Sequence, residues 1–212
     1  MKTIRFIGDV HGRYEPYKKL IAKVPRSIQV GDMGVGFRRV DGYRAGEIYS
    51  NPPHYAMVAG DHRFIRGNHD NPEECRKHSQ WIPDGRVEGN MMFIGGATSI
   101  DKHMRQEGYN WWPAEQLSPD ALATLIEVYE NIKPEIMVTH ECPQSLVQCF
   151  IGHYKVELEP GGTDTRKALE MMLAIHRPKL WIFGHWHQSL DFAQNGTRFI
   201  CLAELEHKDI EI

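Results

Sequence analysis

Six short apolar runs constrain the fold of this chain more than any other feature of its sequence. They cover residues 3–7, 27–30, 63–65, 91–94, 136–139 and 180–183, and several end in Gly-Asp, Gly-Asn-His, Thr-His or Gly-His. Several are unbroken rather than alternating, which is typical of strands covered on both faces of a sheet. Helical patterns lie between them. This alternation of strand-like and helical segments predicts an α/β layer structure.

Local signals predict helix ends and one turn. The spacing of apolar residues indicates helices over 16–23, 119–132 and 163–176. Ser118 is a suitable N-cap for the second helix, and Thr163 or Asp164 for the third. Asn195-Gly196, which lies between two strand-like runs, predicts a β-hairpin.

Composition and charge exclude several classes of protein. With 25 basic and 28 acidic residues, the net charge of −3 gives no global attraction to nucleic acid or to an anionic membrane. No apolar run reaches the length of about 18 residues that a membrane span needs, and the one at the amino terminus is too short for a signal peptide. Four cysteines without a Cys-x-x-Cys pair suit a reducing compartment. We therefore expect a cytoplasmic protein with one domain over residues 1–212.

Histidines are unevenly distributed, and several belong to an ordered set of motifs. The set is Gly8-Asp9-Val10-His11-Gly12, Gly31-Asp32, Gly67-Asn68-His69-Asp70, Thr139-His140 and Gly184-His185-Trp186-His187. Each motif by itself is weakly specific, since Asp101-Lys102-His103 repeats the first pattern without directly ending a strand. The motifs of the set follow apolar runs, however, and the carboxyl ends of strands are where open α/β sheets place their ligands.

This ordered set resembles the calcineurin-like metallophosphoesterase superfamily. The family motifs are Asp-x-His, Gly-Asp, Gly-Asn-His-Asp/Glu, a single His and Gly-His-x-His, and all five occur in order between positions 8 and 187. The resemblance implies a four-layer αββα sandwich of two mixed β-sheets flanked by helices, with a metal site at the carboxyl ends of the strands. It also implies a hydrolase of phosphoester bonds in which a hydroxide bridges two divalent metal ions, because such a pair activates water and neutralises charge on the phosphoryl group.

The resemblance assigns seven side chains to the metal ions. The first ion takes Asp9, His11, Asp32 and His187, and the second takes Asp32, Asn68, His140 and His185. Alternate side chains of an extended backbone share a face, so the two histidines of Gly-His-x-His can converge on one site. Nitrogen and oxygen ligands without a thiolate suit Mn, Fe, Zn or Ni, and we expect two Mn²⁺ ions.

Three further residues have expected roles in catalysis. His69 resembles the catalytic histidine of the family that is not a ligand, and it would protonate the leaving-group oxygen or stabilise its charge. We expect Asp70 to orient its ring. Arg66 is expected to hold the phosphate of the substrate, with a structural ion pair as the alternative. Arg13, Arg38, Arg39 and Arg105 are weaker candidates for substrate contacts. We expect the aromatic segment 109–113 to be packed in the interior, with a lid that stacks on the substrate as the alternative.

One departure from the family narrows the substrate. The protein Ser/Thr phosphatase branch has Gly-Asp-x-Val-Asp-Arg-Gly, but here Gly31-Asp32 continues as Met33-Gly34-Val35 without that arginine. We therefore expect a phosphomonoesterase or phosphodiesterase acting on a phosphorylated small molecule or nucleotide, with no membrane partner. The alternatives are a protein Ser/Thr phosphatase, a DNA exonuclease of the same superfamily, or a non-catalytic metal-binding scaffold. Nucleic acid is not favoured because the net charge is near zero.

Overall fold

Ten strands form two β-sheets in the computed structural model, which describes residues 2–38, 59–150 and 161–212. The first sheet contains β1 (Thr3–Ile7), β2 (Arg26–Gln29), β3 (Asp61–Phe64) and β10 (His207–Glu211), in the order β10-β1-β2-β3. Strands β1, β2 and β3 are parallel, whereas β10 pairs antiparallel with β1. This sheet is therefore mixed.

The second sheet is also mixed. It contains β4 (Val87–Glu88), β5 (Met91–Ile94), β6 (Ile136–Thr139), β7 (Leu180–Phe183), β8 (Leu190–Gln194) and β9 (Thr197–Cys201), in the order β4-β5-β6-β7-β9-β8. The four central strands are parallel, and β4 and β8 run antiparallel at the two edges.

Four α-helices lie in the described part of the chain. They are α1 (Tyr14–Ile21), α2 (Pro72–Cys75), α3 (Pro119–Ile132) and α4 (Asp164–Ile175). The side chain of Ser118 accepts a hydrogen bond from the N–H of Ala121, and that of Thr163 accepts one from the N–H of Arg166. Both predicted N-caps are confirmed, because each side chain satisfies an N–H that has no partner within its helix.

The two sheets pack face to face on an apolar layer. Phe6 and Ile28 of the first sheet and Val138 and Ile182 of the second belong to this fully buried layer. Strands of unbroken apolar sequence, such as β7, have a second apolar face, as that sequence predicts. The outer face of each sheet must therefore be covered by another layer.

Helices cover both outer faces. Trp181 of β7, next to Ile182 but on the opposite face, lies in a cluster with Tyr129 of α3 and Leu169 of α4. On the other side, Ile7 of β1 packs with Tyr17 of α1. The four-layer αββα arrangement expected from the resemblance is confirmed. Within the described residues, no helix is long and apolar enough to cross a membrane; the cytoplasmic location and the single domain stay predictions.

Most predicted elements are present. The strands over 3–7, 91–94, 136–139 and 180–183 have the predicted ends, and β2 and β3 begin one and two residues earlier than predicted. The hairpin at Asn195-Gly196 is confirmed, and both residues have the positive φ that a tight two-residue turn requires. Strand β10 and helix α2 were not predicted. β10 is a half-exposed edge strand with no buried apolar run, and α2 has only four residues.

Candidate metal centre

Four of the predicted ligands lie close enough together to bind one ion. One ligand atom from each of Asp9, His11, Asp32 and His187 lies within 4.8 Å of the others. Nε2 of His187 is 3.1 Å from Oδ2 of Asp9 and 2.9 Å from Nε2 of His11. Asp9 and Asp32 follow neighbouring parallel strands, so both carboxylates reach the same edge of the first sheet. This group is the set predicted for the first metal.

The other predicted ligands adjoin this group through Asp32. Nε2 of His140 lies 3.3 Å from Oδ1 of Asp32 and 3.1 Å from Oδ1 of Asn68. The ring of His185 contacts that of His140, with 5.0 Å between their centroids. Oδ2 of Asp32 lies 3.8 Å from Nε2 of His11, on the side of the first group. The two oxygens of Asp32 thus face the two groups, which is the arrangement that a bridging carboxylate needs.

The hydrogen-bond partners of His140 test whether these residues suit a cation. Nδ1 of His140 lies 2.9 Å from the carbonyl oxygen of Val30, which can only accept, so Nδ1 carries a hydrogen. In a neutral ring Nε2 then has a lone pair, and it points towards Oδ1 of Asn68 and Oδ1 of Asp32. In that neutral form three electron-pair donors converge, which fits a hard or borderline divalent ion that takes the place of the Nε2 proton.

The electrostatics of the centre also favour positive charge. Burial opposes the ionisation of Asp32, but the neighbouring rings of His69 and His140 hold the pKa of Asp32 well below its usual range. Although burial acts against it, the charge of Asp32 raises the pKa of His140 to about 10. A hydrogen bond to Asp9 raises the pKa of His187. The shift of Asp32 favours its negative charge, and those of the two histidines favour positive charge beside it; bound divalent ions would supply that positive charge.

The backbone is strained at four of these ligands. His11, Asp32, His185 and His187 have φ values of +48°, +56°, +66° and +50°. They are four of the seven non-glycine residues with positive φ in the described ranges. Such conformations cost about 1–3 kcal/mol each, and they persist only where the surrounding structure imposes them. The fold therefore holds these side chains in orientations that an unconstrained chain avoids. The extended backbone expected at Gly-His-x-His is wrong, since both of its histidines have left-handed φ values.

Two motif glycines let the ligands approach one another. A Cβ atom on Gly67 would overlap with the carboxylate of Asp32, and one on Gly184 would overlap with that of Asp9. The N–H of His185, which follows Gly184, donates to Oδ1 of Asp9 at 3.1 Å. This hydrogen bond joins the second sheet to the first at the carboxyl ends of their strands. A side chain at either glycine would push the two groups apart.

His69 lies beside the centre without belonging to either group. Its N–H donates to Oδ1 of Asp32 at 2.7 Å, and its ring stacks on Phe37 with 5.0 Å between centroids. Nη2 of Arg105 lies 2.7 Å from its Nε2. Burial, together with the charge of Arg105, lowers the pKa of His69 to about 4, so the ring is neutral at pH 7. The negative charge of a bound phosphoryl group acts in the opposite direction.

The expected orientation of His69 by Asp70 is not what the structure contains. The oxygens of the fully buried Asp70 accept hydrogen bonds from four backbone N–H groups instead. The donors are Gly67 at 2.7 Å, Met33 at 3.1 Å, Gly34 at 2.7 Å and Val35 at 2.8 Å. These four bonds use the lone pairs of both oxygens. Asp70 therefore ties the loop that follows Asp32 to the turn that contains Asn68 and His69.

Arg66 also has a different environment from the one predicted. Its side chain is buried, and Nε donates to Oδ2 of Asp84 at 2.8 Å. Nη1 donates to the carbonyl oxygens of Ala114 and Glu115 at 3.0 and 2.8 Å. Because these groups already use the guanidinium, the contacts of Arg66 correspond to the structural ion pair and not to a phosphate clamp.

A cavity of about 180 Å³ opens onto the centre. It is lined by Asp32, Asn68, His69, Ser99, Ile100, Asp101, Arg105, Arg166, His185, Trp186 and His187. The two arginines in this wall each have a carboxylate partner. Nε and Nη2 of Arg105 donate to the two oxygens of Asp101 at 2.6 and 2.8 Å, and Nε of Arg166 donates to Glu141 at 2.8 Å.

Glu141 is a buried carboxylate that the motif analysis missed. Oε2 lies 3.6 Å from Nε2 of His185, and Oε1 accepts from the indole N–H of Trp186 at 2.8 Å. The only sequence signal was its position directly after His140. Its partner Arg166 lies 25 residues further along, in α4, and is equally buried. Together they form an ion pair directly behind the predicted ligand His185.

Ser99 and Glu115 orient another predicted ligand. Nδ2 of Asn68 donates to Oγ of Ser99 at 3.0 Å, which leaves Oδ1 of the amide facing His140. Glu115 in turn accepts from the N–H of Ser99 at 2.9 Å. No motif in the sequence marks either residue. The aromatic segment 109–113 lies nearby, and its Trp112 is buried. Arg39, a candidate for substrate contact, lies outside the described residues.

Comparisons with known proteins agree with this geometry. The calcineurin-like phosphoesterase family matches residues 2–189 of the chain. A lariat debranching enzyme of Entamoeba histolytica is 24% identical over 262 residues, which cover 99% of this chain and 70% of that protein. The crystal structure of TT1561 of Thermus thermophilus superposes with a TM-score of 0.57 at 12% identity, and the match covers 97% of this chain and 90% of that one. The latter similarity concerns the fold alone.

The family match spans all five motifs and both ligand groups. The same stretch contains the strands whose carboxyl ends carry the ligands, and the two-sheet architecture supports them. The chain belongs to the calcineurin-like phosphoesterase family and is a hydrolase of phosphoester bonds.

Proposed function

We propose that this chain is a metal-dependent phosphodiesterase acting on small-molecule or nucleotide diesters. The observation that carries the proposal is the charge balance of the cavity. Asp101 accepts from Arg105 through both oxygens, and Glu141 pairs with Arg166. Neither arginine in the wall therefore adds net positive charge beyond that of bound metal ions.

This balance suits a singly charged substrate. A phosphomonoester carries about 1.5 to 2 negative charges at pH 7, whereas a phosphodiester has one ionisable oxygen and carries one. Binding a dianion in this cavity calls for an additional unpaired cation, since desolvation of charge is costly. Neither Arg66 nor the Gly31-Asp32 loop supplies one in the described residues. The monoesterase remains the alternative that the experiment below separates.

The two ligand groups would hold the metal ions. We assign Asp9, His11, Asp32 and His187 to one ion and Asp32, Asn68, His140 and His185 to the other. When bound, two divalent ions neutralise charge on the phosphoryl oxygens and lower the pKa of a water molecule towards about 7. Because the donors are nitrogen and oxygen atoms without a thiolate, we propose Mn²⁺ as the bound ion.

We assign His69 to the leaving group. In hydrolysis, the water oxygen forms the new bond to phosphorus, and the bond from phosphorus to the leaving oxygen breaks with its electron pair. His69 lies on the cavity wall, where the negative charge of a bound phosphoryl group would raise its pKa. It would then protonate that oxygen or, in its neutral form, stabilise the charge by a hydrogen bond, while the water gives up the compensating proton. Asp32 fixes the backbone of His69, and Phe37 holds the plane of the ring.

A second candidate substrate is a branched RNA. It is favoured by the lariat debranching enzyme of Entamoeba histolytica, whose similarity extends over 99% of this chain. Opening the branch of a lariat is itself the hydrolysis of a phosphodiester, so the same charge argument applies. The net charge of −3 provides no long-range attraction to RNA, and a small diester therefore stays our first proposal.

The proposal is tested by turnover of matched esters. The protein loaded with Mn²⁺ is assayed with bis(p-nitrophenyl) phosphate and p-nitrophenyl phosphate, which share one leaving group. We expect kcat/KM for the diester to be at least about tenfold higher, with loss of turnover after chelation. Preference for the monoester would make the chain a phosphomonoesterase, and no metal-dependent turnover of either would favour the scaffold.

Oligonucleotides then separate the substrates of larger size. A 2′,5′-branched RNA, a linear RNA and a linear DNA of equal length are incubated with the Mn²⁺-loaded protein. Cleavage of the branch alone would support debranching, and digestion of the DNA from an end would support the exonuclease. Release of phosphate from a phosphoserine peptide tests the protein phosphatase.

A further inference from the structure

The guanidinium of Arg105 is held between Asp101, Phe37 and His69. It follows a short 3-10 turn at Lys102–Met104, and Asp101 fixes its Nε and Nη2. The guanidinium carbon lies 5.5 Å from the centroid of Phe37, so the group is held from one face as well. Nη2 lies 2.7 Å from Nε2 of His69, at the wall of the cavity.

Four of the five hydrogen atoms of the guanidinium have a hydrogen-bond partner among the described residues. An arginine has five N–H donors and no acceptor. The Nε hydrogen and one Nη2 hydrogen go to Asp101, and Nη1 donates to the carbonyl oxygen of Asn110 at 3.3 Å. The second Nη2 hydrogen goes to the ring nitrogen of His69. That bond is made to a neutral acceptor, so an anionic oxygen in the cavity would be the stronger partner.

We infer that Arg105 is a substrate-binding residue, and that its second Nη2 hydrogen moves from His69 to a non-bridging oxygen of the bound diester. The inference rests on the proposed phosphodiesterase function. The exchange would bind one anionic oxygen and release Nε2 of His69 at the same time. Because Asp101 neutralises the charge of Arg105, the guanidinium would orient the bound oxygen through its hydrogen bond and add little net positive charge. A substrate with one negative charge fits such a site.

A second arginine offers a matched control. Arg198 donates from Nε and Nη2 to the two oxygens of Asp191 at 2.8 Å, the same two-point geometry as in the pair of Arg105 and Asp101. It lies on β9, its side chain is 46% exposed, and it is not among the residues that line the cavity. Replacing either arginine by glutamine removes a two-point ion pair with an aspartate, but only Arg105 lines the cavity.

The experiment compares Arg105→Gln and Arg198→Gln with the parent protein, all loaded with Mn²⁺. Kinetics with bis(p-nitrophenyl) phosphate give KM and kcat, calorimetry gives the affinity for inorganic phosphate, and urea unfolding gives stability. We expect Arg105→Gln to raise KM and weaken phosphate binding about 10- to 100-fold, the usual value of one hydrogen bond between charged groups. Its kcat should stay within about threefold, and Arg198→Gln should change neither quantity.

Two results would overturn the inference. If KM and phosphate affinity stay within twofold while the unfolding midpoint falls, Arg105 only holds its own segment. If kcat falls and KM does not, it acts on His69 and not on the substrate. Should the parent protein turn over no diester, the proposed function fails, whereas the phosphate affinities still decide the assignment of Arg105.

Discussion

Asp70→Asn separates a structural carboxylate from a catalytic one. In the structure both oxygens of Asp70 accept hydrogen bonds from backbone N–H groups. Oδ1 accepts from Gly34 and Val35, and Oδ2 accepts from Met33 and Gly67. Asparagine has nearly the same shape, but it keeps only one acceptor. Its NH₂ group would face two N–H donors that have no other partner, and the site is fully buried.

The size of the effect follows from these contacts. Two lost hydrogen bonds to a charged acceptor are worth about 1.5–3 kcal/mol each, which gives a loss of about 3–6 kcal/mol. Burial and the negative charge of Asp32 raise the pKa of Asp70, because both destabilise the ionised carboxylate. The neutral amide of asparagine avoids this destabilisation, which offsets part of the free energy lost with the two hydrogen bonds. We therefore expect about 3 kcal/mol, a large share of the stability of a typical domain.

Urea unfolding at pH 7, followed by circular dichroism on metal-free protein, measures this loss. Glu73→Gln is the control, because it makes the same change from carboxylate to amide in an exposed pair with Arg76 and should cost less than about 1 kcal/mol. A loss below about 1 kcal/mol for Asp70→Asn, combined with a large fall in turnover, would refute this reasoning. Asp70 would then act through His69, as the sequence suggested.

Three further predictions concern the metal centre. His69→Ala should keep both ions by elemental analysis and lose about 10²- to 10⁴-fold in rate on alkyl esters, with a smaller loss on nitrophenyl esters; equal losses on both would remove His69 from the leaving group. Asp32→Asn should lose bound metal as well as activity, because its two oxygens face both groups, and full occupancy by two ions would show that it is not the bridge. Glu141→Gln should weaken Mn²⁺ binding about 10- to 100-fold by calorimetry, since a carboxylate behind a ligating histidine orients it; an unchanged affinity would limit Glu141 to its ion pair with Arg166.

Sequence reasoning succeeded where the determining information is local. An unbroken apolar run such as that of β7 must be covered on both faces, and a polar residue directly after it must lie at the end of its strand. The helix that begins after Ser118 was predicted to the residue for the same reason, because the cap and the spacing of apolar residues lie within one short segment.

Prediction was less successful where several groups compete for one partner. Arg66 lies 18 residues from Asp84 and 49 from Glu115, and only the folded chain shows that these groups use its guanidinium. Strand β10 was not predicted because its half-exposed sequence has no apolar run, and it forms a strand by pairing with β1. The positive φ of Asp32 is likewise imposed from outside the motif.

The sequence by itself determined which side chains are available as the proposed metal ligands and which alternating strands and helices carry them, because side-chain chemistry and apolar periodicity are properties of short segments. Only the tertiary structure decided the hydrogen-bond partners of Asp70, Arg66 and Arg105. A hydrogen-bonding group serves whichever partner the fold brings within about 3 Å, and that distance depends on the packing of the whole chain.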